Sequence, residues 1–411
     1  MLRAFYEFVL IKYNIVLWLA SFFNKKAALW INGRRGIWEK LRIELKDKSK
    51  VVWFHCASLG EFEQGRTVIE EYKKRNPSVY ILLTFFSPSG YEIRKNYEGA
   101  DSIFYLPLDY KKNAKRFIKI VNPHLVVFVK YEFWLNYLQQ LWKGDIPVFL
   151  ISANFRRDQW FFKWYGKSFR KIFGYYDHLF VQNQSSKSIL SDFGISDVTV
   201  AGDTRFDRVS QITKNPKPIP IVESFKNGKT LVVAGSTWNE DEEILCRYIN
   251  ESRDDLKWIL APHEIGSAHI DKIGTLLNKS FIKFSEAAIG NVESTTVLII
   301  DNIGMLSFLY AYAEIAYIGG GFGVGIHNIL EPASYGIPVV FGPRYQKFQE
   351  ALDLVNEQGA FSIKGYEEFM NRLNSLLNSP EILMKSGKIA GLYVKNNQGA
   401  TSTIVNNLLN S

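Results

Sequence analysis

The sequence predicts two consecutive doubly wound α/β domains, each a parallel sheet covered by helices on both faces. From Gly36 onward, short apolar runs alternate with amphipathic stretches, the signature of repeated strand–helix units. That alternation stops at the run QITKNPKPIPIVESFKNGKT and then resumes. A length of 411 residues exceeds one ordinary core and suits two.

In the first half, strands are expected at 51–55, 79–85, 102–106, 125–129, 148–152 and 178–181, with helices between them. Pro216, Pro218 and Pro220 then recur at every second residue, which opposes helix and favours an extended linker. A second series follows at 231–234, 257–261, 297–300, 315–318 and 339–341. The expected organisation is an N-terminal helix with a basic segment (1–35), a first domain (36–210), a linker (211–228) and a second domain (229–411), the last helix being free to return to the first domain. Two such domains imply a cleft, with ligands outside the carboxyl ends of the strands.

Composition narrows the function classes. Hydrophobic residues form 47% of the chain and charged residues 22%, a globular balance that excludes disorder for most of it. The formal charge of +9 calls for an anionic partner. Because the basic residues are scattered and no RNA-binding signature or zinc-finger spacing occurs, nucleic acid is not expected. Cys56 and Cys246 stand far apart, which argues against a disulfide framework and fits a reducing compartment. His55, His124, His178, His263, His269 and His327 never adopt the short spacing beside a carboxylate that a metal needs, so no metal is expected and most are assigned structural roles. The chain has neither a nucleophile elbow nor a Walker loop.

Residues 4–23, AFYEFVLIKYNIVLWLASFF, nearly reach bilayer-spanning length but are interrupted by Glu7, Lys12 and Asn14, and they lack a signal-peptide cleavage pattern. The expectation is an interfacial helix with Phe5, Phe8, Trp18 and Phe22 at the lipid boundary and Lys25, Lys26, Arg34 and Arg35 on anionic headgroups, holding the protein on the cytoplasmic side. A single spanning helix and a helix packed on the protein's own core are the alternatives.

Two motifs carry chemistry. In the run 54–62, FHCASLGEF, a strand leads into a helix; Gly60 permits close approach and Glu61 is delivered to the ligand-facing end. Ser58 and Glu61 also have capping-box spacing, and on spacing alone the cap is the favoured reading over a general base. In the run 319–332, GGGFGVGIHNILEP, glycines such as Gly320 and Gly321 let backbone approach a phosphate, while His327, Asn328 and Glu331 sharpen the signal because a carboxylate at that point can bridge two ribose hydroxyls. Ser87 and Ser89 suit an anionic acceptor or a simple turn, the turn being favoured.

With these residues in view the chain resembles the 3-deoxy-D-manno-octulosonic acid (Kdo) transferases of lipopolysaccharide synthesis, glycosyltransferases of the GT-B architecture. The likeness rests on ASLGEF (57–62), YEFWLN (131–136), GDTRFD (202–207), GSTW (235–238), DNIGML (301–306) and HNILEPA (327–333), and spans nearly the whole chain. It implies inverting transfer of Kdo from CMP-Kdo to a lipid A precursor, lipid IVA, without metal or other cofactor, at the cytoplasmic face of an inner membrane. By the same resemblance Glu61 is the general base, ahead of the cap reading, and Glu132 and Arg205 stabilise the transition state; without the family, an ordinary ion pair explains the latter two equally well. Donor contacts are implied for Pro262, His263, Gly304, Met305, Leu306, Gly320, Gly321, His327, Asn328 and Glu331, and acceptor contacts for Ser58, Gly60, Arg66, Ser87 and Ser89. The chain departs from the family pattern at Lys130, Arg205, Trp238, Pro262-His263 and Met305. Rival readings are a GT-B enzyme with another donor, such as a UDP-sugar transferase or epimerase, and a catalytically silent membrane-surface binding protein.

Overall fold

The computed structural model describes residues 2–214, 217–252 and 255–411. The chain divides into two units, Met1–Arg208 with Gln398–Ser411, and Val209–Asn397.

The first unit is built on β1 (Val51–Cys56), β2 (Tyr80–Phe85), β3 (Ser102–Tyr105), β4 (Leu125–Val129), β5 (Val148–Ala153), β6 (His178–Val181) and β7 (Val198–Val200). These run parallel in the order β3-β2-β1-β4-β5-β6-β7. The second unit repeats the plan with β8 (Thr230–Thr237), β9 (Leu256–Pro262), β10 (Phe281–Lys283), β11 (Val297–Ile299), β12 (Ile315–Ile318), β13 (Val339–Phe341) and β14 (Ala360–Ser362), in the parallel order β10-β11-β9-β8-β12-β13-β14. Central strands such as VVWFHC in β1 are buried at every residue, because both sheet faces are covered and no solvent side exists to favour polar alternation. Chain direction across each sheet reverses beside its central strand, at β1/β4 in one and β8/β12 in the other, which is where open parallel sheets leave room for ligands.

The eleven strands expected from sequence are all present within a few residues; β7, β10 and β14 were not foreseen. Each of those three is an edge strand of three residues with at most one residue buried, too short and too wet to show a period.

The expected extended linker is corrected. A helix, Thr204–Lys214, runs into its start, and another, Pro220–Lys226, begins on Pro220 itself. Proline has no N–H to lose in a first turn and its fixed φ suits that position, so it starts this helix rather than preventing it. Pro216 lies outside the described residues, as does Asn215.

Seven helices of the first unit matter below: α1 (Leu2–Ala20), α2 (Lys25–Asn32), α3 (Ile37–Glu44), α4 (Leu59–Arg75), α5 (Pro88–Arg94), α6 (Lys111–Val121) and α7 (Leu135–Lys143). The C-terminal helix, Ala400–Leu409, also belongs to this unit and buries Ile404, Val405 and Leu408 beside Val68 and Phe180. Asp207 accepts the Gly399 and Thr401 N–H groups, each at 2.7 Å, and so caps that helix.

α1 is both docked and exposed. Leu10 packs with Trp30 and Leu108, Lys111 N–H donates to Glu7 at 3.2 Å, and the Tyr6 hydroxyl donates to Asp109 at 2.8 Å. Phe5, Phe8, Trp18 and Phe22 are each half or more exposed. Among the described residues no helix is long and apolar enough to cross a membrane. Arg34 does not point to headgroups as expected: its guanidinium donates to the Leu106, Trp30 and Phe86 carbonyls at 2.8–2.9 Å and lies 3.8 Å over the Trp30 ring. Burial pushes its pKa down to about 9.

Asp109 is fully buried and also accepts the first-turn N–H groups of Asn136 and Tyr137 in α7, at 3.0 and 2.9 Å. One carboxylate therefore ties α1 to the segment carrying Glu132. Asp109→Ala strands these donors and is expected to cost about 3 kcal/mol in chemical denaturation of the full chain, with faster proteolysis within α1; unchanged stability and cleavage contradict this role.

Candidate active site

Glu61 and Glu132 leave the carboxyl ends of β1 and β4, the two strands flanking the reversal in the first sheet. Glu61 stands in the first turn of α4, where its Oε2 accepts the Ser58 N–H at 2.9 Å. The expected cap is thus made, and it occupies one carboxylate oxygen. Gly60 is exposed, and a Cβ placed there would meet nothing within 4 Å, so the surface next to Glu61 is open at that point.

Glu132 is held more tightly. Its Oε2 accepts the Trp134 indole N–H and lies 3.0 Å from His55 Nε2, while its carbonyl accepts the Tyr176 hydroxyl at 2.6 Å. The other nitrogen of His55, Nδ1, is 2.8 Å from Thr84 Oγ1, which in turn accepts the Trp53 indole N–H at 2.7 Å. A buried hydrogen-bonded chain therefore runs from Trp53 through Thr84 to His55, whose Nε2 stands in close contact with Glu132 but makes no hydrogen bond there. His55 was missed as a site residue, although a histidine in the otherwise apolar run VVWFHC was the available signal.

This setting acts on Glu61. Burial raises its pKa, the negative charge of Glu132 raises it further, and His55, the Ser58 N–H and Lys130 pull it down. Lys130 adopts a left-handed backbone, φ 70°, at the end of β4, a conformation unusual for a side-chain-bearing residue and frequent at functional sites.

Arg205 donates from Nε and Nη2 to Asp203 Oδ2 at 2.8 and 2.6 Å, so the ion-pair reading is realised for its guanidinium. Ser87 caps α5 by accepting the Ser89 N–H, and the two hydroxyls are 2.9 Å apart. Arg66 donates to Glu70 at 2.7 Å.

The second unit places its residues the same way. The strand ends at β8 and β12 deliver Ser236, Trp238 and Asp241 from one side and the run 319–331 from the other. Ser236, at φ 54°, sits where β8 shifts register against β9. A cavity of about 270 Å³ is lined by Ser236, Gly304, Leu306, Ser307, Tyr310, Ile318, His327, Asn328 and Glu331. Five of the expected donor residues are thus brought together: Gly304, Leu306, His327, Asn328 and Glu331. Pro262, His263, Met305, Gly320 and Gly321 do not line it. Sequence did not single out Ser236, Ser307 or Tyr310 as contacts. The Tyr310 hydroxyl is buried with no hydrogen-bond partner among the described residues, an unsatisfied polar group at the cavity's wall.

The glycine reading is corrected in its reason. A Cβ on Gly319 would lie 2.3 Å from the Ser236 carbonyl, and one on Gly321 would lie 2.6 Å from Gly342 N. Gly320 has φ +88°, and its N–H donates to Asp241 at 2.8 Å, leaving it no donor for a phosphate. Asp241 also accepts the Trp238 N–H at 3.0 Å and the Tyr317 hydroxyl at 2.7 Å, so Gly319 and Gly320 serve close packing around this carboxylate, while Gly321 packs on Gly342.

His263 stacks on both Trp238 and His327, with centroids 4.5 and 4.7 Å apart. The Trp238 indole, which can only donate, gives its N–H to His327 Nε2 at 3.1 Å; this places the His327 proton on Nδ1. Burial and the neighbouring His263 lower the His327 pKa, favouring the neutral ring. Asn328 donates to Glu331 at 3.1 Å and accepts the Leu330 N–H at 3.2 Å. Among the described residues, no three His, Cys, Asp or Glu side chains gather as a metal site.

Two parallel Rossmann-like sheets with polar sites at their reversal points define a GT-B-like α/β protein. Its fold is similar to that of UDP-GlcNAc 2-epimerase from Neisseria meningitidis bound to UDP-GlcNAc (TM-score 0.62, 17% identity, 88% of this chain and 99% of that one). It is also similar to Acinetobacter baumannii MurG (TM-score 0.56, 14% identity, 88% and 100%). The family model described as 3-deoxy-D-manno-octulosonic-acid transferase (kdotransferase) matches residues 31–208. The 3-deoxy-D-manno-octulosonic acid transferase of Aquifex aeolicus is 30% identical over 361 residues, covering 85% of this chain and 94% of that protein, and the Haemophilus influenzae protein of the same name is 27% identical over 86% and 85%. The chain belongs to the Kdo transferase family of glycosyltransferases.

With Glu61 as the base, the acidic limb of kcat/KM would lie above the ordinary glutamate value of about 4.3, because a base works unprotonated and this carboxyl's pKa is raised. Glu132→Gln removes a charge that raises the Glu61 pKa, so the limb should move to lower pH even if the rate falls. A limb that stays in place or moves up removes Glu132 from this electrostatic role.

Proposed function

We propose that the chain transfers Kdo, with inversion, from CMP-Kdo to a sugar hydroxyl of lipid IVA. The observation that carries the reading is Glu61: a carboxylate with raised proton affinity, in the first turn of a helix, beside the open surface at Gly60. The acceptor oxygen bonds to the anomeric carbon of Kdo, its proton passes to Glu61, and the bond to the CMP phosphate breaks with the electron pair leaving on phosphate oxygen. Glu132, in contact with His55, keeps Glu61 basic. Arg205, oriented by Asp203, offsets the negative charge developing on the leaving group.

The donor's nucleotide fits the cavity of the second unit. Glu331 suits the two ribose hydroxyls, and Tyr310, Ser236, Asn328 and neutral His327 supply hydrogen-bonding groups around it. Acceptor contacts are assigned to Ser58, Gly60 and Arg66, with the Ser87–Ser89 turn beside them, since Ser87 N–H donates to the Ala57 carbonyl at 2.8 Å.

The decisive test incubates purified protein with a CMP-Kdo generating system and lipid IVA and reads the lipid by mass spectrometry. Glu61→Gln should lower the transfer rate by about 10²–10⁴-fold while CMP affinity measured by calorimetry stays the same; full transfer by this variant eliminates Glu61 as the base.

We further propose that α1 lies on an anionic membrane surface, at the cytoplasmic face of an inner membrane. Support comes from the exposed Phe5, Phe8, Trp18 and Phe22, with Lys25, Lys26 and Arg35 exposed nearby. Phe8→Asp with Trp18→Asp should reduce flotation with phosphatidylglycerol-containing vesicles at least tenfold, and salt should weaken wild-type binding. Undiminished flotation of the double variant refutes this placement.

A further inference from the structure

Three arginines from three elements converge on the outer face of α4. Arg66 belongs to α4, Arg94 ends α5, and Arg208 lies in the helix Thr204–Lys214. At their centre is Glu63, whose Oε1 accepts from Arg94 at 2.7 Å and whose Oε2 is 3.9 Å from Arg66 and 4.0 Å from Arg208. A second carboxylate, Glu70, accepts from Arg66 at 2.7 Å and from the Tyr97 hydroxyl at 3.1 Å.

The cluster is unbalanced. Three guanidiniums face two carboxylates, and two of the three contacts to Glu63 are loose. The Arg94 Nε–H is buried with no partner among the described residues. Burial lowers the Arg208 pKa, and the like charge of Arg66 lowers it further, against the pull of Glu70, Glu63 and Tyr97. A surface ion network kept for stability yields little even when its charges match, about 0–1 kcal/mol per pair. Loosely paired guanidiniums held near one another, with side chains still partly reached by solvent, are better suited to an added anion. Arg66 and Arg208 are each 22% exposed, and Arg94 32%.

The position supports a role in substrate recognition. Gly60, Glu63, Arg66 and Glu70 follow at three- and four-residue spacing along one face of α4. The cluster therefore begins one turn from the open surface beside Glu61, with Arg66 roughly 9 Å along the axis from Gly60.

We propose that Arg66, Arg94 and Arg208, gathered around Glu63, form a recognition site for a phosphate monoester carried by the acceptor. Planar guanidiniums bind phosphate oxygens in pairs, and three of them enclose such a group from three sides. Glu63 acts as the internal competitor that keeps the arginines in place while the site is empty. The acceptor as the source of the phosphate rests on the function proposed above; the phosphate site itself does not.

The test is calorimetric binding, without donor, of a deacylated glucosamine disaccharide bisphosphate and its unphosphorylated counterpart. A parallel arm uses phosphatidylcholine vesicles with and without phosphatidic acid. Wild-type protein should favour the bisphosphate at least tenfold, and Arg66→Gln with Arg208→Gln should abolish that preference. Glu63→Gln should strengthen phosphate binding several-fold, whereas a purely structural network predicts weaker binding and a lower unfolding temperature. Loss confined to the phosphatidic acid arm keeps the phosphate site but overturns the acceptor as its source. No phosphate preference in either arm, or weaker binding in Glu63→Gln, overturns the proposal. Because no transfer is measured, this outcome is independent of whether Glu61 is the base.

Discussion

A carboxylate buried next to another carboxylate is costly unless something compensates it, and the first unit is organised around that cost. Glu132 is set against His55 and Trp134, and His55 is fixed in turn by Thr84 and Trp53. The result is a fixed negative charge near Glu61, which raises the proton affinity of a residue that would otherwise be an ordinary helix cap. Glu61 therefore has one oxygen on the Ser58 N–H and a proton affinity above that of an ordinary carboxylate cap.

The second unit solves a different problem with the same means. Asp241 gathers the Tyr317 hydroxyl and the N–H groups of Trp238 and Gly320, and thereby folds the run after β12 back against the end of β8. Close packing of Gly319 on Ser236 and of Gly321 on Gly342 shapes the loop that leads to His327, Asn328 and Glu331. Trp238 then sets the tautomer of His327 by giving it a hydrogen bond. In the first unit Glu61 and Glu132 follow the two strands beside the chain reversal, and in the second unit Ser236 and the run 327–331 do, because there neighbouring connections leave the sheet toward opposite faces and open a space; Gly304, Leu306 and Tyr310 reach the same cavity from the connection after β11.

Much of the GDTRFD run is structural when viewed atom by atom. Asp203 orients Arg205, Thr204 donates to the Gln64 carbonyl of α4, and Asp207 caps the C-terminal helix. That run binds the last segment of the chain to the first unit, so a motif legible as functional also carries the closure of the fold. Some expectations failed for identifiable reasons. Pro220 starts a helix because its missing N–H is harmless there, and Arg34 turns inward because three backbone carbonyls needed a donor.

The sequence by itself determined what local periodicity and composition can encode: the alternating strands and helices, the fully buried central strands, the exposed apolar face of α1, and the motifs that place the chain among the Kdo transferases. Short edge strands escaped it, since three residues carry no period. Only the tertiary structure decided which polar groups meet. His55 faces Glu132 across the two strands β1 and β4, and the phosphate-like reading of Gly320 fails because Asp241, 79 positions earlier, takes its N–H. Such partners lie far apart along the chain and become neighbours through strand order alone, and the energies of buried charges depend on those neighbours rather than on the residues' own types.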